Sequence, residues 1–288
     1  MLNAVLNYTF MQNALLAGLL ASVVCGIIGV VIVEKKLVML SGGIAHTAYG
    51  GVGLGYLLGF EPLFGAFGFA VGAALGIGYI KRRGSSQSDI AIGLFWSLGM
   101  ALGILFIAFM PGYPPDLSSY LFGSILAVTK ADILTMLVLT GIITLVMLVF
   151  FNHWKAFLFD EEFGFIVGMR TAVLEYTLLL LTAMTIVVLL RVVGIILVLA
   201  LLTAPAATAG LLAKKLKNRM VYAVFLGMLY CVAGLWISYS LDMASGAVIV
   251  ILSVLGYAAV YACRTVYIRL IGKHDLSREP LEEGCCHE

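Results

Sequence analysis

The chain has 288 residues, 62% of them hydrophobic and only 11% charged, with a mean hydropathy of +1.11. A water-soluble globule of that composition could not cover itself with polar groups, and no polar segment is long enough to hide a catalytic domain, so the solvent is a bilayer. The formal net charge of +2 carries little by itself and gives no sign of a nucleic-acid partner; the positions of the charges carry the information.

Nine apolar stretches follow one another at about 12–33, 37–60, 62–80, 89–110, 132–151, 171–190, 193–212, 220–240 and 246–267. Each is near the roughly 20 residues needed to cross the hydrocarbon as a helix. The expected fold is therefore an all-α polytopic membrane protein of eight or nine transmembrane helices. A single domain over 1–270 would be followed by a cytoplasmic tail over 271–288. In the first stretch, Leu15 to Val33 is long enough to be a retained helix rather than a signal peptide.

The second stretch holds LSGGIAHTAYGG, residues 40–51, with one of only four histidines. His46 lies ten residues beyond the charged Lys36, about 15 Å along a helix and so near the bilayer midplane. An ionisable group there is costly unless it faces a cavity or a partner. Its neighbours Ser41, Gly42, Gly43, Thr47, Gly50 and Gly51 are small and leave room for something to pass. Imidazole is a normal ligand for zinc, manganese or iron, but one histidine is one ligand, and a neutral, satisfied core histidine is the competing reading. Glycines at close spacing, Gly50, Gly51, Gly53 and Gly55 and then Gly65, Gly68, Gly72 and Gly76, predict closely approaching helices.

Leu117 to Val128 is too short to span and follows PGYPPD, so it reads as a surface or re-entrant segment. The loop NHWKAFLFDEEFGFIVGMR, residues 152–170, is amphipathic, and predicts a short interfacial or docking helix capped by Asp160 and ended by Gly168. In 192–215, Pro205 sits inside an apolar run crowded with Thr203, Ala204, Ala206 and Ala207, which predicts a broken or kinked helix. Cys25, Cys231 and Cys263 read as small hydrophobes, and the terminal CCHE as an incidental pair in a tail.

With the N-terminus outside, only Lys130 and Arg191 of the 17 lysines and arginines remain on the outer side. That asymmetry fixes the orientation and places the 152–170 loop in the cytoplasm. The weak point is the second helix, which needs a tight turn after Lys36. No Walker lysine motif is present, so any use of ATP requires a separate subunit.

Taken together and in order, EKKLVMLSGGIAHTAYGGVGLGYLLG, SDIAIGLFWSLGMALGILFI, YLFGSILAVTKADI, FDEEFGFIVGM, VVGIILVLALLTAPAATAGLL and SYSLDMASGAVIVI make the whole chain resemble the membrane permease subunit of ABC transporters for divalent metals. The resemblance implies a transport subunit of the bacterial or archaeal cell membrane that is not itself an enzyme. It implies a second copy of the same chain, two cytoplasmic ATPase subunits that use ATP, and an extracellular or periplasmic metal-binding protein. The metal, zinc slightly ahead of manganese or iron, would be a transported substrate, with no permanently bound cofactor. His46 matches the family's pathway histidine and metal contact, with Ser41, Gly42, Thr47, Thr203 and Pro205 along the path. The carboxylate usual four residues earlier matches Gly42, so coordination at His46 would be weaker, water-assisted or completed elsewhere. Phe159, Asp160, Glu161, Glu162, Phe163 and Gly168 match the segment that resembles a coupling helix. Asp89 reads as a helix cap and Asp242 as part of an external turn. A gradient-driven secondary transporter or channel is the rival; it calls for membrane-embedded carboxylates, of which Glu175 is the clearest candidate.

Overall fold

The computed structural model describes residues 7–83, 88–111, 120–121, 123 and 125–276. Residues 112–119, with most of PGYPPD, and the tail from 277 onward, with its cysteines, lie outside the described residues. Each of the nine apolar stretches becomes one long helix. In chain order they are α1 (Thr9–Glu34), α2 (Val38–Leu58), α3 (Pro62–Arg82), α4 (Ser88–Ala108) and α5 (Lys130–Val149). Two short helices follow, α6 (Phe151–Phe159) and α7 (Glu161–Ile166), before α8 (Thr171–Val193), α9 (Ile195–Leu212), α10 (Leu216–Leu241) and α11 (Ser245–Leu276).

Eight of the nine are long and apolar enough to cross a membrane; α2 is the exception. Glycine, serine, threonine, tyrosine and His46 dilute its hydropathy, and its position explains why that is tolerated. From Leu40 to Val52 every residue but His46 is buried, so α2 meets protein rather than lipid.

The turn that α2 requires is built at Lys36, a non-glycine residue at φ +58°. The Leu37 N–H donates to the Ile32 carbonyl at 2.9 Å and the Lys36 N–H to Val33 at 3.1 Å, the paired bonds of a Schellman cap. This closes α1 and redirects the chain within three residues. Gly59 in the left-handed region ends α2, Pro62 opens α3, and a reciprocal capping box between Thr129 and Asp132 opens α5. Pro205 does not interrupt α9, so of the break or kink expected there the break is not found. Helix runs through it, with the Thr203 and Thr208 hydroxyls donating to the carbonyls of Leu199 and Ala204.

The bundle has two packed groups. In one, α2 is held between α3 and α4; in the other, α1 packs on α9 and α10, and α11 closes on α9 and α10. Helix α8 leans mainly on α3. The glycines make the first group possible. A Cβ on Gly51 would overlap the Gly65 backbone, and one on Gly50 would come within 2.7 Å of the Gly99 carbonyl. α2 thus touches α3 with one glycine face and α4 with another. Gly68 and Gly72 face open space instead, so the spacing on α3 overstated its contact surface.

Ion pairs gather at the two ends of the bundle. At one end Lys35 meets Glu161 at 2.7 Å, Lys81 and Arg82 both meet Glu175 at 2.8 Å, and Arg219 meets Glu34. At the other, Arg191 bridges Glu61 at 2.7 Å and Asp132 at 3.2 Å. The first group holds the loops assigned to the cytoplasm, the second those assigned outside.

Candidate metal path and coupling elbow

His46 projects from α2 towards α4. Its ring stacks on Trp96 with centroids 4.1 Å apart and planes 11° from parallel, and Nδ1 lies 3.3 Å from the Met100 sulfur. The contact suits a tautomer with the proton on Nδ1, assigned from this geometry, which leaves Nε2 with a free lone pair. His46, Trp96 and Met100 are all half-buried.

Two i,i+4 pairs face each other: Gly42 and His46 on α2, Trp96 and Met100 on α4. The indole lies over Gly42, where an added Cβ would stand 2.9 Å from Trp96 Cζ3. The place a carboxylate side chain would enter is occupied by tryptophan, and the nearest soft donor to His46 is a thioether. Neither was legible in the sequence, because α4 is apolar on every face and nothing in its pattern says which residues meet α2.

The hydroxyls near His46 are engaged with backbone. Ser41 donates to the Val38 carbonyl at 2.7 Å, and Thr47 lies 2.7 Å from the Gly43 carbonyl and 3.0 Å from that of Phe95. Thr203 and Pro205 belong to α9, which packs chiefly on α1, α10 and α11 and only lightly on α2. The structure therefore brings together Ser41, Gly42, His46 and Thr47, and leaves Thr203 and Pro205 in the other group of helices. Among the described residues, no three histidine, cysteine, aspartate or glutamate side chains converge. What the site can offer is transient contact by one imidazole nitrogen, with sulfur beside it.

Glu175 is not a midplane carboxylate. It sits in the second turn of α8, buried, and is neutralised by Lys81 and Arg82. Asp89 lies in the first turn of α4, and Asp242 caps α10 at φ +52°.

The second candidate element is the elbow formed by α6 and α7. Asp160, in extended conformation between them, accepts from the Gly164 N–H at 3.1 Å, as an N-cap carbonyl does. Gly168, at φ +86°, closes α7 with a second Schellman pair, Met169 to Gly164 and Gly168 to Phe165. Glu161 turns inward to Lys35, whose Nζ also sits 3.6 Å above the Phe157 ring. Glu162 points outward, and the Phe163 side chain is outside the described residues. Phe159 is 93% exposed, Phe165 71% and Ile166 79%, with Val167 beside them. The exposed apolar tip thus extends beyond the expected set to Phe165, Ile166 and Val167. An exposed apolar patch of this kind marks a contact with a protein or with the membrane surface.

At the Arg191 end of the bundle, the Tyr56 and Tyr120 hydroxyls are 2.9 Å apart. Burial, then the bond to Tyr56, pushes the Tyr120 phenol above its ordinary range.

Residues 7–264 match the model of the ABC 3 transport family. The chain is 42% identical over 259 residues to an uncharacterized membrane protein of Synechocystis sp., covering 90% of this chain and 92% of that one. It is 34% identical over 252 residues to the manganese transport system membrane protein MntC of Listeria monocytogenes, covering 88% and 90%. Among solved structures, PsaBC from Streptococcus pneumoniae in complex with Fab superposes with a TM-score of 0.82 at 33% identity, covering 90% of this chain and 94% of that one. The chain belongs to the ABC 3 transport family and is a multi-pass bacterial membrane protein.

Proposed function

We propose that this member of the ABC 3 transport family is the membrane-spanning subunit of an ATP-driven importer of divalent transition-metal ions. Manganese stands first among its substrates, ahead of zinc and iron. The reading rests most on the likeness over nearly the whole chain to MntC, named for manganese transport, and that likeness moves manganese ahead of the zinc favoured from sequence. Residues 1–270 serve as one permease domain. Hydrolysis belongs to two separate cytoplasmic ATPase subunits, and the metal arrives from a metal-binding protein on the outer side.

In this reading two copies of the chain enclose the path, and His46 offers Nε2 to the passing ion. A single weak donor suits a conduit, since an ion held too well would not leave. The exposed tip from Phe159 to Val167 seats in the ATPase, and its Schellman closure and Glu161–Lys35 pair carry the partner's motion into the bundle. Pairing of Glu175 with two cations weakens the gradient-driven alternative, because it removes the best-placed carboxylate for a proton relay.

The test is uptake of radioactive manganese into proteoliposomes carrying this chain with its ATPase, with the metal-binding protein supplied on the outer side. Import should require ATP hydrolysis, survive a protonophore, and fall at least tenfold in His46→Ala at equal assembly. Uptake that follows a proton gradient without ATP would reject the reading.

A further inference from the structure

A cavity of about 610 Å³ opens at the cytoplasmic end between the C-terminus of α1, α6 and the N-terminus of α10. Lys155, Lys214, Lys215, Lys217 and Arg219 line it against a single carboxylate, Glu34, which Arg219 already neutralises. None of the four lysines makes an ion pair among the described residues. The positive-inside bias accounts for the side on which these lysines lie, but not for their convergence on one cavity.

The N-terminus of α10 adds to the imbalance. Its cap residue is Lys215, no side chain caps it, and its first turn has no acid. The orphan N–H groups and the positive pole of a 26-residue helix therefore open among cations, an arrangement that favours a bound anion.

A second hollow, about 420 Å³, continues from the first and shares Phe151 and Lys217 with it. It is a trough between α1, α5 and α10, floored by Ile27, Met147, Val221, Val224 and Phe225, with Thr144 and Lys217 its only polar residues. It runs along α10 from Lys217 to Met228, which at 1.5 Å per residue is roughly 16 Å. Half of a hydrocarbon core about 30 Å thick is nearly the same length. A cationic basin at the membrane surface, leading into an apolar trough one leaflet deep, has the shape and chemistry of a phospholipid.

We propose that this composite groove binds one anionic phospholipid of the inner leaflet. Its phosphate sits among Lys155, Lys214, Lys215 and Lys217, and an acyl chain lies in the trough. Basic pockets between helices on the cytoplasmic side are suited to such headgroups. An acidic face of a soluble partner would satisfy the lysines but has no use for a trough within the bilayer. The exposed Phe159 borders the basin, so the headgroup stands beside the coupling elbow. The inference does not depend on which ion is transported.

The test uses the full chain, delipidated in detergent, with native mass spectrometry after adding equal phosphatidylglycerol and phosphatidylcholine. One phosphatidylglycerol should be retained in preference. Lys214→Gln with Lys217→Gln should cut that preference about 30-fold, at about fivefold per lysine. Val221→Trp, at an exposed position in the trough, should lower retention with the lysines intact. Equal retention of the two lipids overturns the proposal. Loss of retention on adding inorganic phosphate, with Val221→Trp silent, would assign a free phosphate site instead. Unchanged lipid preference in the lysine variant, with loss of ATPase capture, would assign the basin to a protein partner.

Discussion

Replacing Gly42 by aspartate is the natural attempt to give His46 a carboxylate one turn away, and the structure predicts that it fails alone. A Cβ at position 42 stands 2.9 Å from Trp96 Cζ3, whereas carbon atoms pack at about 3.5–4.0 Å. The indole must retreat by roughly 0.6–1.1 Å, and it carries the His46 ring stacked 4.1 Å from it. Overpacking of this kind costs about 1–3 kcal/mol, before the carboxylate is desolvated against the indole. Gly42→Asp should therefore lower the melting temperature without tightening metal binding. Gly42→Asp with Trp96→Ala removes the obstruction and brings carboxylate and imidazole onto one face at i,i+4. The double variant should bind manganese at least tenfold more tightly than either single variant, an interaction of about 1.4 kcal/mol or more. Calorimetric titration and thermal unfolding of the four purified forms measure both terms. If Gly42→Asp alone bound manganese as tightly as the double variant, with an unchanged melting temperature, the obstruction by Trp96 would be disproved.

Three further outcomes follow from other parts of the molecule. Ile166→Asp, at an exposed tip position, should abolish capture of the ATPase subunit while insertion and manganese binding persist; normal ATP-driven uptake in that variant would reduce the elbow to a connector. Gly51→Val should destabilise by about 1–3 kcal/mol or more, since its Cβ overlaps the Gly65 backbone, and denaturant titration that found Gly51→Val neutral while Gly72→Val was not would reverse the packing assigned to the two glycines. For sidedness, a single cysteine at Met243 should react with a membrane-impermeant thiol reagent from outside and one at Asn218 from inside, both residues being exposed.

The spans were legible because charge and turn residues punctuate the apolar runs, and in a bilayer the first requirement on sequence is length. Even α2 could be placed, from its length between Lys36 and Gly59, although its composition falls short of a lipid-facing helix. Lateral order was not legible. Amphipathicity tells which face of a soluble helix points inward, and these helices are apolar on every side, so the Trp96 and Met100 partners of His46 left no trace in the pattern. That Thr203 and Pro205 lie in a different group of helices from His46 was not legible for the same reason: small residues mark a close helix contact without naming the neighbour. The elbow could be read because it lies between the long apolar spans, where exposed aromatics and a capping aspartate regain their ordinary meaning. Glu175 misled because a carboxylate in an apolar run looks unpaired until the partners, Lys81 and Arg82 on another helix, are known.

The placement of the ion pairs limits which helices can part during transport. α3 and α8 are tied at both ends, by Glu175 to Lys81 and Arg82 inside and by Arg191 to Glu61 outside. Gly168 connects α7 directly to α8, so a displacement of the elbow moves α8 and, through these pairs, α3. α2 follows α3 because their backbones meet at Gly51 and Gly65. Against α4, α2 makes a contact as extensive as that with α3, through the glycine surfaces at Gly50 and Gly99 and at Gly53 and Gly103, Gly43 against Ile92, the Thr47 contact, and His46 on Trp96 and Met100, with no ion pair in it among the described residues. An uncharged contact can shear, and α4, unlike α3, has no ion pair to another helix among the described residues to hold it in step. The hypothesis is that His46 is exposed alternately by sliding of α4 past α2, with α3 and α8 moving as one body. Spin labels at the exposed Tyr79 and Val173 should keep their separation when ATP binds the complex, and labels at Met39 and Leu94 should change theirs by several ångströms. A shift confined to the first pair would show that the ion pairs open and that α2 and α4 stay locked.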